Sequence, residues 1–198
     1  MNKTLIALLV LGSIAFGGIT IAWSTYNSLN VQEIAVETSW KDSQVWYDTF
    51  WKKVQEQAQV TDKYAADFKE AFIGSVGKRY DGKDPAVSLI MEANPTLSPE
   101  VYTRLQTTID AGRTDFAETQ RVLLDKQRIY KTTLRSPVAA MLKGLFGFPS
   151  EEQGDLRPAK DTDGDGRYTV LDYPIVTSDQ TSQAFTTGKA DAISVFGK

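Results

Sequence analysis

Between residues 161 and 173 the chain reads "DTDGDGRYTVLDY", with aspartates alternating at Asp161, Asp163 and Asp165 and a glycine at Gly166. A hard divalent cation such as calcium takes six or more oxygens in a flexible cage. Carboxylates at positions 1, 3 and 5 of a tight loop converge on one point, provided that position 6 turns sharply. Counted from Asp161, Gly166 falls at position 6 and the backbone carbonyl of Arg167 at position 7. Thr169 stands at position 9, where a water often intervenes, and Asp172 at position 12, in place of the usual longer Glu. The pattern predicts a calcium site held by Asp161, Asp163, Asp165, Arg167 and Asp172. A single such loop is structural, because paired loops make the usual switch. The alternative is a solvated Asp-Gly turn leading into a strand, "RYTVLDYPIV", whose apolar positions alternate.

Other chemistry is narrowed by what the chain lacks. Magnesium-assisted phosphoryl transfer at the same aspartates requires a phosphate cradle, and no G-x-x-x-x-G-K pattern occurs. Histidine and cysteine are both absent, which removes the usual general base at neutral pH, thiolate nucleophiles, disulfides and zinc clusters. No pair of carboxylates has a spacing recognisable for acid/base hydrolysis. The chain is therefore expected not to be an enzyme. Lys plus Arg number 22 against 25 Asp plus Glu, a formal charge of −3, and this balance gives no reason to expect a nucleic-acid partner.

The loop follows a chain built mostly of helix. No charged residue lies between Thr4 and Gln32, and Leu5 to Trp23 is almost wholly apolar. At 1.5 Å per residue this stretch makes a helix of roughly 28 Å, the hydrocarbon thickness of a bilayer. Trp23 and Tyr26 lie at its far end, where amphipathic rings favour the headgroup layer. A retained anchor over residues 1–24, with lipid contact through residues 5–23, is expected. A cleaved signal peptide is the rival, but the apolar run exceeds the usual h-region and no A-x-A site follows. Lys3 on one side and Glu33 and Glu37 on the other place the amino terminus in the cytoplasm. The bulk then stands on the periplasmic side of an inner membrane.

No glycine or proline occurs from Ile19 to Ile73, so the anchor is expected to continue as helix. Tyr26, Leu29, Val36, Trp40, Tyr47, Trp51, Val54 and Ala58 share a face at intervals of three, four or seven. Thr61 or Asp62 suits a restart before Tyr64, Phe68 and Phe72, and "GSVGKRYDGKDP" reads as a loop. "AVSLIMEA" is a short helix. Ser98 and Pro99 then open a long one carrying Tyr102, Leu105, Ile109, Gly112, Phe116, Leu123 and Tyr130 in a three-four alternation. Ser136 and Pro137 restart the chain as a helix that stops at Gly147 and Pro149. Its Val138, Met141, Leu142, Leu145 and Phe146 are expected to pack against the ends of the other helices, a membrane-surface or partner-binding wedge being the alternative. Residues 150–198 read as a linker, the acidic loop and a Ser/Thr-rich tail.

Two separated stretches carry a family resemblance. "YNSL" directly after the membrane segment, Trp40 in "VETSW", and "RIYKTTLRSPVAAMLKGLFGF" with Arg128, Tyr130 and Leu145 to Phe148 resemble the LemA family, over roughly residues 20–150 and in the same order. "YDTFWKKVQEQ" stands where the family has Arg-x-Asp-Leu-Ile-Pro-Asn-Leu, and Lys131 where it has Asn. The resemblance implies an all-α protein: an antiparallel long-helix bundle over residues 25–149 on a single anchor, with no reaction attached. The acidic loop likewise resembles those of dockerin-type modules, which also use Asp at position 12.

The functional expectation is a membrane-anchored scaffold or adaptor, engaging an unidentified protein partner or a second copy through residues such as Trp46 and Phe146. Core contact is the competing reading for Trp46. A secreted calcium-dependent binding module is the alternative function, and a metal-dependent hydrolase a third.

Overall fold

A computed structural model describes residues 3–75, 84–162 and 164–176. Among them there is no strand. The helices are α1 (Lys3–Ala58), α2 (Ala65–Ser75), α3 (Pro85–Ala93), α4 (Pro99–Leu134) and α5 (Pro137–Phe146), with 3-10 turns at Asp62–Tyr64, Gly154–Leu156 and Val170–Asp172. The chain divides into two compact units. The first comprises Met1–Lys41 with Val122–Pro174, the second Asp42–Arg121 with Ile175–Lys198.

The punctuation is that of helix chemistry. With neither glycine nor proline after Gly18, α1 runs unbroken past the apolar span. It stops at Ala58 because Gln59 turns into the left-handed region, φ 53°, where a side chain is disfavoured and glycine is the usual occupant. Gln59→Gly is expected to raise stability by about 0.5–1 kcal/mol, read as an upward shift of the thermal midpoint. Asp84 caps α3 by accepting from the N–H groups of Ala86 at 2.9 Å and Val87 at 3.3 Å. Ser98 Oγ accepts from Val101 N at the start of α4, and Ser136 Oγ from Ala139 N at the start of α5. Gly147, at φ 72°, closes α5 with its N–H donated to the Lys143 carbonyl. The loop expected before Pro85 lies largely outside the described residues, at 76–83.

In the second unit the core is aromatic. Phe50, Trp51, Val54 and Ala58 of α1 meet Phe68 and Phe72 of α2, Val87 and Ile90 of α3, and Leu105, Ile109 and Phe116 of α4. Trp46 stacks on Phe50 at 5.0 Å and reaches Phe72 and Phe116 at 6.4 and 5.5 Å. It is thus a partly buried core residue rather than a partner-facing one. Gly112 presses its Cα on Phe50: a Cβ there would lie 2.2 Å from Phe50 Cε2. Arg113 enters the same region and pairs with Asp84, the cap of α3, and with Asp110 at 3.0 Å.

In the first unit Leu29 and Val36 of α1 are buried with Leu123, Tyr130 and Leu134 of α4, Ala139 and Leu142 of α5, and Phe148, Val170 and Tyr173 beyond it. The apolar side chains of α5 do not all pack inward as expected. Leu142 is buried, whereas Met141 is 72%, Leu145 74% and Phe146 59% exposed.

Candidate functional site

The acidic loop is wound around its first aspartate. Asp161 accepts from Gly164 N at 2.6 Å through one oxygen and from Gly166 N at 2.8 Å through the other. Both glycines stand at positive φ, 74° and 79°, which lets their N–H groups turn back on a single carboxylate. Asp165 accepts from Arg167 N at 2.7 Å. Asp172 closes the loop from the other end. One of its oxygens takes Thr162 N at 2.9 Å, the other Thr169 N and Thr169 Oγ1 at 2.8 and 3.1 Å. The last pair belongs to a capping box over the turn Val170–Asp172. This turn stands where the alternative reading has a strand.

The loop rests on a platform in the same unit. The Gln127 amide of α4 donates to the carbonyls of Val170 at 3.1 Å and Tyr173 at 3.0 Å. Tyr173 lies flat on Trp40 of α1, centroids 5.1 Å apart and planes 9° off parallel. Glu152 N donates to the Tyr168 carbonyl at 2.7 Å. The Arg167 guanidinium donates to the Pro149 carbonyl at 3.1 Å, and Arg157 covers the Tyr168 ring at 3.9 Å. Asp161 thus holds one backbone N–H on each of its two oxygens. Asp172 is 3% exposed and its oxygens take three donors, so it pins the loop's two ends together. Asp163 lies outside the described residues. Among the described residues, no three acidic side chains are grouped as a cation needs.

Compared with family models, curated proteins and solved structures, the chain matches none.

Beside the platform is a group of acids, two of which, Glu33 and Glu37, stand out in the sequence only as the first charges beyond the span. Glu33 of α1 is buried, its carboxylate taking the Ser150 N–H and, at 3.2 Å, the Ser150 hydroxyl. Desolvation raises its pKa, partly offset by the Ser150 bonds, with Glu37 adding to the rise. Glu152 is raised by burial first and then by Glu37 and Glu33. The phenols of Tyr130 and Tyr173 are likewise pushed up, mainly by burial. The signal was available: the stripe of α1 steps seven residues from Leu29 to Val36, and Glu33 fills the gap.

An acid whose folded-state pKa exceeds its ordinary 4.5 holds its proton more tightly when folded. The stability it contributes is fully present below that value and is lost as pH rises through the raised one. Thermal midpoints of native protein and Glu33→Gln are therefore expected to diverge in favour of the variant as pH climbs above 4.5. A difference that stays constant with pH contradicts the assignment.

The remaining candidate is the apolar span itself. An 18-residue window of α1, with mean hydropathy 2.4, is long and apolar enough to cross a membrane, and none of it is buried by the rest of the chain.

Proposed function

We propose that this protein is a single-pass membrane-anchored helical scaffold or adaptor, held in a bacterial-type inner membrane with its bulk on the periplasmic side. One observation carries the reading. The apolar residues of the span, from Leu5 to Trp23, are exposed, and apolar surface of that extent needs a cover that the described fold does not supply. Beyond the span the same helix buries Leu29 and Val36 without a break. Tyr26, near the far end of the span, packs edge-on against Phe146 at 5.0 Å and Phe148 at 5.5 Å. Cleavage near residues 20–25, as in the secreted alternative, would remove lead-in helix next to a packed ring.

Intact-mass measurement of the protein extracted from native membranes tests the anchor. The full mass, with resistance to alkaline carbonate, is expected. Loss of the first 20 to 25 residues would sink the tethering account. Crosslinking in the same membranes then reads whether the neighbour is a different protein or a second copy.

Calcium belongs to the proposal as a structural ion at the loop. Asp161, Asp163 and Asp165 would supply carboxylate oxygens and Arg167 its carbonyl, with Asp172 closing the ring by exchanging one of the three donors it holds for the ion. Support comes from the alternating aspartates and from the loop wound around Asp161. Replacing the three aspartates by Asn should abolish the calorimetric heat of calcium titration, and an unchanged heat would remove the metal.

A further inference from the structure

We propose that α5 is a second membrane contact: an interfacial helix lying in the headgroup layer beside the anchor, its outer face in contact with lipid. This rests on the reading of residues 5–23 as a retained span. The helix "PVAAMLKGLF" carries a single charge, Lys143. One side of it is fixed inward by Ala139 and Leu142, leaving Met141, Leu145 and Phe146 as exposed large apolar side chains. On a free aqueous surface, three such neighbours on so short a helix form an apolar patch with no polar rim on its own element.

Position decides what covers it. Phe146 touches Tyr26 at 5.0 Å, and Tyr26 stacks on Trp23 at 6.2 Å. Trp23 closes the apolar run, so the end of α5 stands at the level where the span leaves hydrocarbon, the level that amphipathic rings favour. A helix there needs to sink only about 5–10 Å to bury such a face. Charge agrees with a lipid surface. From Lys126 to Ser150 the chain has five cations and no acid; Lys131, Arg135 and Lys143 among them are exposed. That is the composition attracted to anionic headgroups. A protein groove, by contrast, finds no feature here that selects it.

The absence of cysteine makes the test clean, because a single introduced thiol carries the only label. Full-length protein is reconstituted into vesicles of phosphatidylethanolamine and phosphatidylglycerol. Nitroxide is attached in the variants Met141→Cys, Leu145→Cys, Ile14→Cys and Asp155→Cys, all at exposed positions. Collision with oxygen, which concentrates in lipid, is compared with collision with an aqueous nickel chelate. The oxygen-to-nickel ratio at 141 and 145 is expected to exceed that at 155 several-fold, approaching the ratio at 14. A ratio at 141 and 145 equal to that at 155, with 14 in lipid, overturns the interfacial helix and leaves the anchor standing. An aqueous ratio at 14 overturns both. Labels at 141 and 145 shielded from both reagents mean that a protein surface, a partner or a second copy, covers α5, and this too overturns the proposal.

Discussion

Gly112→Ala is expected to destabilise the second unit by about 2 kcal/mol, although alanine is the better helix former. Propensity alone favours the substitution by about 1 kcal/mol. Against it stands the added methyl, whose carbon would lie 2.2 Å from Cε2 and 2.4 Å from Cζ of Phe50, far inside contact distance. Overpacking a close-fitted core typically costs about 1–3 kcal/mol, sometimes more. Phe50 has little room to yield, being 7% exposed and enclosed by Trp46 at 5.0 Å, Phe72 at 4.9 Å and Phe68 at 6.3 Å. The clash therefore outweighs the propensity. Phe50→Ala on its own should cost about 3–5 kcal/mol through the cavity it leaves. The double variant should lose less than the two single losses together, because the new methyl occupies part of the emptied space. Denaturant unfolding of the four proteins measures the cycle. Additive losses would mean that the two residues do not meet.

Asp84→Ala should cost more, about 3–5 kcal/mol. Two losses coincide. The helix cap over Ala86 and Val87 is worth about 1 kcal/mol, and the Arg113 guanidinium, 8% exposed at its side chain, loses its buried carboxylate partner while keeping Asp110. Removing one partner of a buried ion pair typically costs about 3–5 kcal/mol. Asp84→Asn keeps an oxygen for the cap and removes only the charge, so it should fall between native and Asp84→Ala. Combining Asp84→Asn with Arg113→Met should recover stability relative to Asp84→Asn alone, since the buried cation is removed together with its buried counter-charge. If Asp84→Asn matches Asp84→Ala, the cap contributes nothing.

Local helix chemistry was the most legible part of this chain. The caps at Ser98 and Ser136, the stop at Gly147 and the absence of breakers after Ile19 gave element positions directly, because each acts through its own backbone neighbours. The apolar stripes were legible at the residues they named, Leu29, Val36, Leu123 and Tyr130 among them. Their seven-residue gaps held more than was read. Glu33 occupies the gap after Leu29 and grips Ser150, and Gln127 occupies the gap after Leu123 and grips Val170 and Tyr173. A polar residue in an apolar register has to find a partner, but periodicity does not say which. Gly112 was placed on the stripe, yet only tertiary packing shows that Phe50 fills the room its missing side chain leaves. The Arg113 and Asp84 pair joins residues far apart in the chain, beyond any local pattern. In the acidic loop the turn at Gly166 was legible from its spacing. The capping box formed by Asp172 was hidden, because the same residue answered equally well to a metal-ligand count.

On the proposed reading of residues 5–23 as a retained span, the unbroken course of α1 sets the azimuth of the first unit. A flexible linker would let a body swivel beneath its tether. Here each residue of α1 between Trp23 and Leu29 turns the helix about 100°, so the side of the span that meets lipid is geared to the side of the first unit that carries Glu33 and Val36. Inserting one residue after Ser24 would twist those faces by more than a quarter revolution, whereas seven would nearly restore the phase. On that reading, whatever meets the first unit at the bilayer encounters one bearing rather than a free rotor.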